Sequence, residues 1–387
     1  MSTNRPAPTS PQSPRHILIV RLSALGDVAL SSGLIPALHS LWPNARISWL
    51  VEAPAAPLLQ HNPHLHEVIL MPRQNWLSLW RGGQKRQALR EVWQFRKALR
   101  ARAFDCVIDP QGLLKSGLMA WFTAAPRRVN LKPREGSQWL MHESVQPQDT
   151  ETRPLIAHEY RDLAVYLGAA ATSYRMDLAV GAQARVQAQQ RLAQVGIKCE
   201  QGQRYAVLAA FTTRPQKHWI EGHWAELAEG LSRQGFTPLL LGGPGDVEAA
   251  ARICQSQPLI HNLTGQLRLD ETVAAIADSH LLIGVDTGLT HMGIALGKPT
   301  VALFGSTAPY LRGPDDTTQV LYDALPCSPC HRHPTCNGRF DCMQQLTVGR
   351  VLSAATQVLQ TQVQAHTGGA VHTPVDHGGA SARPETI

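Results

Sequence analysis

The chain has 387 residues, 43% of them hydrophobic, and a formal net charge of +7 with a pI near 9.2. That length holds two domains of ordinary size with real apolar cores, and no apolar run reaches the ~18–20 residues of a membrane span. The basic balance favours anionic partners: nucleic acid, an anionic membrane surface or a phosphorylated substrate.

Residues 1–14 are rich in Pro, Ser and Thr and contain no apolar segment. They read as a disordered leader and not as a secretory signal, so the protein is expected in the cytoplasm. Cys106, Cys199 and Cys254 are scattered, which argues against a secreted disulfide framework. His16–Val20 (HILIV) is the first predicted buried strand, followed by the turn RLSALGDV, a helix over 28–41, and strands over 45–51 and 68–71. This is the βαβ rhythm of a doubly wound α/β sheet. The turn lacks a Gly-x-Gly-x-x-Gly fingerprint. Gly26 lets it turn tightly, and Asp27 sits where strand-end loops carry chemistry. A lone Asp there equally serves as a helix cap.

The segment 73–102 carries nine Arg or Lys residues against Glu91 alone, with Trp76, Trp80, Trp93 and Phe95 interleaved. A helix is predicted over 84–103, with Leu89, Val92, Trp93 and Phe95 toward its buried side. Such a surface fits an anionic-lipid contact, a nucleic-acid face or a solvated helix face. Cys106–Asp109 is a further strand, and the loop PQGLLKS after it brings Lys115 within reach of an anion. A helix over 119–125, a strand over Arg127–Leu131, a mobile loop over 136–154 and helices over His158–Leu167 and 181–195 follow. The rhythm pauses between Gly168 and Gly202, which places the junction between a domain at 15–180 and one at 200–362.

The second half restarts with a strand over 205–211, the loop TTRPQKHW, a helix over 224–234, a strand over 237–241, the turn GGPGD and a helix over Val247–Ser256. Asp270 is expected to cap a helix over 270–278. The stretch IGVDTGLTHMGIALGKPTVALFGST then reads as strand, turn, helix, Gly-Lys-Pro stop and strand. A helix starting just past a strand end offers free N–H groups and a positive dipole end, which suits a diphosphate. The plainer reading is that Asp286 and Thr287 only cap that helix. Thr212, Thr213, Lys217, Gly242, Gly243, Thr287 and Gly288 all lie at strand ends and are expected to converge on one phosphorylated ligand.

Taken together, RLSALGD, DPQGLLKS, TTRPQKHW and DTGLTH…GKPTVALFG resemble the glycosyltransferase family 9 heptosyltransferases, nearest to the heptosyltransferase I branch, from about His16 to about Leu359. The resemblance implies a GT-B fold, with two Rossmann-like doubly wound domains facing a cleft. It implies transfer of heptose from ADP-heptose to Kdo of Kdo–lipid A, with inversion, at the cytoplasmic face of the inner membrane. By the same resemblance, Asp27 matches the general base, and Thr212, Thr213 and Lys217 the donor-diphosphate site. Asp286, Thr287, Gly288, Leu289 and His291 match the donor loop. Ser23, Gly26, Arg73 and Lys115 fall on the acceptor side. The donor half contains no Asp-x-Asp motif, so Lys217 and the helix end are expected to replace a divalent ion, and no cofactor is required.

Cys327, Cys330, Cys336 and Cys342 lie within sixteen residues of one another. Four thiolates that close are a candidate structural zinc or iron site. They also resemble segments of other branches of the family, heptosyltransferase II-like and protein-modifying. The competing functions are a nucleotide-sugar epimerase of the same shape and a nucleic-acid-binding protein; no nucleic-acid-binding signature is present, so no nucleic-acid partner is expected. Residues 366–387, rich in Gly, Pro and His, read as a disordered tail.

Overall fold

The computed structural model describes residues 13–147 and 153–368, with side chains to residue 362 at the C-terminal end. Most of the expected leader and tail, and part of the loop expected at 136–154, lie outside the described residues. The first half forms β1 (His16–Val20), β2 (Arg46–Glu52), β3 (Glu67–Met71), β4 (Cys106–Asp109), β5 (Arg127–Leu131) and β6 (Glu143–Val145). The second forms β7 (Tyr205–Ala209), β8 (Thr237–Leu240), β9 (His261–Asn262), β10 (Leu281–Val285), β11 (Thr300–Phe304) and β12 (Thr318–Tyr322).

Each set makes one six-stranded sheet, in the orders β3-β2-β1-β4-β5-β6 and β12-β11-β10-β7-β8-β9. Read from the first strand of each half, the two orders are identical, so the chain repeats a topology without repeating a sequence. Every strand pairing is parallel, for example Ile17↔Ile47 and Leu282↔Val207. β1, β7, β10 and β11 are buried along their whole length, as strands covered by helices on both faces must be. The strand order reverses between β1 and β4 and again between β7 and β10. The C-terminal ends at such switch points open the crevice where ligands bind in doubly wound sheets.

The two halves touch through helix Leu25–Ser31, which leaves β1, and helix Gly288–Ala295, which leaves β10. Glycine is needed on both sides. A Cβ on Gly288 would lie 3.3 Å from Leu25 Cβ, and one on Gly26 only 2.5 Å from His291 Cδ2. One apolar cluster draws on both halves, Ile17 and Trp49 on one side and Tyr205 and Leu282 on the other.

Several elements depart from the sequence reading. The helix expected over 28–41 is two helices, Leu25–Ser31 and Leu34–Leu41. Gly33 at the break lies against Tyr174, where any Cβ would come within 2.6 Å of the ring. An unexpected helix, Arg73–Arg81, precedes Lys85–Ala101. On the latter, Ala88 and Leu99 face the core, while Leu89 and Trp93 are 60% and 59% exposed. Their expected burial is reversed because the helix turns Ala88, Val92, Phe95 and Leu99 toward the first half's core and leaves Leu89 and Trp93 on its outer side. The loop expected over 136–154 holds a short turn of helix, Ser137–Leu140, and β6. At the start of helix Leu269–Ala277 the Glu271 carboxylate accepts the Arg268 N–H at 2.8 Å, while Asp270 accepts the first-turn Glu271 N–H at 3.0 Å and also pairs with the Arg268 guanidinium. β12 and helix Val348–Gly368 were not expected. Among the described residues, no helix is long and apolar enough to cross a membrane.

Candidate active site

The strand ends at the two switch points converge on a cleft of ≈ 690 Å³. Its walls bring together Gly26, Asp27, Thr212, Thr213, Lys217, Asp286, Thr287, Gly288, Leu289 and His291, all singled out in the sequence. Gly242, Gly243 and Asp246 after β8 and Leu267, Leu269 and Thr272 near helix Leu269–Ala277 complete the second wall.

On the first wall, Asp27 lies in the first turn of helix Leu25–Ser31, with its side chain 45% exposed. Its Oδ2 accepts the Ala24 N–H at 3.3 Å and lies 2.6 Å from a guanidinium nitrogen of Arg21. Arg21 is buried, donates to the Pro110 carbonyl at 3.0 Å and sits over the Tyr160 ring. The carboxylate is therefore both a cap and an oriented charge facing the cleft. Sequence reasoning missed Arg21, although it opens the same RLSALGD run; its contact with Asp27 depends on how the turn folds back.

The loop after β4 supports this wall. Asp109 is fully buried, accepting the N–H groups of Gln111 and Gly112 at 2.9 and 3.1 Å and the Ser116 hydroxyl at 2.9 Å. Burial pushes its carboxyl up to about 6, against the pull of those hydrogen bonds. Lys115 donates to Ser23 Oγ at 3.0 Å and lies 3.2 Å from Glu52 Oε1. Ser23 and Lys115 thus stand together beside Ala24 at the lip of the cleft, and neither lines it. Arg73 opens helix Arg73–Arg81 and also lies outside the lining.

On the second wall, Asp286 directly follows β10 and gathers a network. Its carboxylate lies 2.6 Å from Lys217 Nζ and 3.4 Å from His291 Nε2, and it accepts the Thr307 hydroxyl. The Thr212 hydroxyl donates to the Asp286 carbonyl at 3.0 Å. His291 Nδ1 lies 3.0 Å from the hydroxyl of the buried Tyr310. Burial alone would raise the Asp286 carboxyl, but the hydrogen bond and charge of His291, with Lys217 beside it, hold it far below the usual carboxylate range. The plain capping role for Asp286 is replaced by this one, since its side chain faces Lys217, His291 and Thr307. Thr307 and Tyr310 carried no sequence signal because they approach from beyond β11.

The first turn of helix Gly288–Ala295, entered through Thr287 in extended backbone, lines the same space. A lysine, the Thr213 hydroxyl and a helix N-terminus opposite a carboxylate make an arrangement for an anionic leaving group and a proton acceptor.

The family model for glycosyltransferase family 9 (heptosyltransferase) matches residues 92–340. The chain belongs to this family. Lipopolysaccharide heptosyltransferase 1 of Pseudomonas aeruginosa is 30% identical over 338 residues, covering 81% of this chain and 86% of that protein. Lipopolysaccharide heptosyltransferase 2 of Escherichia coli is 28% identical over 313 residues, covering 76% and 83%. The solved structure of E. coli ADP-heptose lps heptosyltransferase II superposes with a TM-score of 0.69 at 24% identity, covering 90% of this chain and 99% of that one. The architecture is thus the GT-B fold, and the chain is a family 9 glycosyltransferase of heptosyl-transfer type.

Among the described residues, no three His, Cys, Asp or Glu side chains are grouped to hold a metal ion. The expected zinc or iron centre of Cys327, Cys330, Cys336 and Cys342 is not formed by this arrangement. Cys327 is exposed, while Cys342 is packed in the core of the second half against Gly305. Burial, with the other three cysteines nearby, pushes the Cys342 thiol up to about 11.

Proposed function

We propose that this cleft binds ADP-heptose and transfers the heptosyl group, with inversion, to a Kdo sugar of Kdo–lipid A at the cytoplasmic face of the inner membrane. The observation that carries this reading is the division of chemistry between two walls. Asp27 stands on one, and Lys217, the threonines and the N-terminus of helix Gly288–Ala295 stand on the other. In the reaction, the acceptor hydroxyl oxygen attacks the anomeric carbon while the bond from that carbon to the phosphate oxygen breaks. The electron pair leaves with ADP, and the hydroxyl proton passes to Asp27. Lys217 and the helix N–H groups take the charge that develops on the diphosphate. Gly242, Gly243 and Thr272 line the side of the cleft available to the nucleoside, and Lys115, with Ser23, offers a cation to an acceptor carboxylate at the lip.

A heptosyltransferase 2-type acceptor preference is the competing reading, favoured by the similar likeness to both types of relative. Purified protein should be given ADP-heptose with either Kdo–lipid A or its once-heptosylated product. Gain of one heptosyl residue on Kdo–lipid A, with matching ADP release, is expected. Transfer only to the heptosylated acceptor would move the protein to the second branch, and ADP release with neither would overturn the acceptor class.

A further inference from the structure

Helix Leu114–Thr123 carries an outward stripe that its sequence alone would send to a core. Leu114, Leu118 and Trp121 recur at helical spacing and are 48%, 38% and 41% exposed. Gly117, on the same side, lets the turn Ser137–Leu140 pack close; a Cβ there would lie 3.2 Å from Ser137 Cβ. That turn presents Trp139, which is 85% exposed. On the other flank lies helix Lys85–Ala101, whose Arg96 guanidinium sits 5.1 Å over the Trp121 ring. Trp80 and Trp93 on this flank are exposed too, each with a lysine over its ring. The exposed tryptophans among the described residues, Trp80, Trp93, Trp121 and Trp139, all belong to the first half.

We infer that this face is a bilayer-docking surface, with Leu114, Leu118, Trp121 and Trp139 entering the headgroup boundary and the arginines of helix Lys85–Ala101 lying on anionic lipid beside them. An apolar patch of this kind needs a partner. Tryptophan with basic side chains is the chemistry of a membrane interface. Leucines would have nothing to stack on in a nucleic acid, and a second copy would bring the same cations together. The geometry also gives the surface a purpose. Leu114 neighbours Lys115, which reaches Ser23 at the cleft lip, so the stripe runs from the acceptor side of the cleft outward. A lipid-borne acceptor would then enter the cleft from the bilayer on which the protein sits. This purpose rests on the proposed acceptor class, but the docking itself does not.

The test is sedimentation with vesicles of phosphatidylethanolamine and phosphatidylglycerol, and with phosphatidylcholine vesicles, without donor or acceptor. The full chain should bind the anionic vesicles and much less of the zwitterionic ones. The variant Trp121→Ser/Trp139→Ser should lose roughly ten-fold or more in partitioning, while keeping wild-type transfer to a short water-soluble acceptor. Brominated acyl chains should quench wild-type tryptophan fluorescence, a readout that stands even if the double variant does not fold. Absent quenching, equal binding by the folded variant, or preference for a random DNA duplex over vesicles would overturn the inference. Loss of transfer to soluble acceptor by the wild type would fault the acceptor reading and leave vesicle binding intact.

Discussion

Lys217 is the residue whose two tasks are easiest to separate. It pairs with Asp286 at 2.6 Å in a largely buried setting, and it faces the space assigned to the diphosphate. Removing one partner of a buried pair leaves the other charge uncompensated. Lys217→Ala should therefore lower the melting temperature and also weaken ADP-heptose binding, a charge-assisted contact being worth about 1.5–3 kcal/mol. Adding Asp286→Asn should recover stability without recovering donor affinity, as melting and calorimetric titration of the two variants would show. Recovery of both would mean that Lys217 serves Asp286 alone. Asp109 gives a pH signature of opposite origin. Burial raises its carboxyl to about 6 from an ordinary 3.8, so the folded chain holds a proton the unfolded chain releases. Its contribution to stability is full below the ordinary value and is lost as pH rises through about 6. Asp109→Asn keeps an acceptor for the Gln111 and Gly112 N–H groups, and its melting temperature should gain on wild type as pH rises across that window, then run parallel above it. Parallel profiles throughout would contradict the buried-acid assignment.

At the scale of elements, the site depends on two helices meeting at their first turns. Gly26 is the contact that tolerates least, because His291 cannot swing aside without leaving Asp286 and Tyr310. Overpacking at such a place costs about 1–3 kcal/mol. Gly26→Ala should lower both melting temperature and donor affinity. Gly222→Ala, in helix Glu221–Arg233 where an added methyl meets nothing within 4 Å, serves as the control: it should leave donor affinity unchanged and raise the melting temperature slightly, never lower it. Unchanged donor affinity in a stably folded Gly26→Ala protein would show that the helix junction does not position the donor loop.

For the molecule as a whole, the sheets were legible because buried parallel strands are short apolar runs bounded by turns, as β1, β4, β10 and β11 are. β12 was not, since Thr318–Tyr322 is a half-exposed edge with little apolar contrast. The helix Lys85–Ala101 was legible as a helix, and Val92 and Phe95 pack toward the core as expected beside the buried Leu99, but Leu89 and Trp93 face outward, so its apolar residues do not form one inward stripe. The cleft residues at strand ends could be chosen from the motifs, but their partners could not. Arg21 with Asp27 depends on a folded turn, and Asp286 with Lys217 joins strand ends 69 positions apart in sequence. The central claim is that proton removal belongs to the first wall and donor binding to the second. It is tested most directly by single-turnover heptosyl transfer with Asp27→Asn at saturating donor, with donor affinity measured on the same preparation. Asn keeps an acceptor for the Ala24 N–H but leaves the buried Arg21 guanidinium without its carboxylate, so the melting temperature should fall while donor affinity stays near wild type and turnover of the folded protein drops by roughly 10²–10⁴. A folded Asp27→Asn protein with wild-type donor affinity that keeps more than about a third of wild-type turnover would contradict the account.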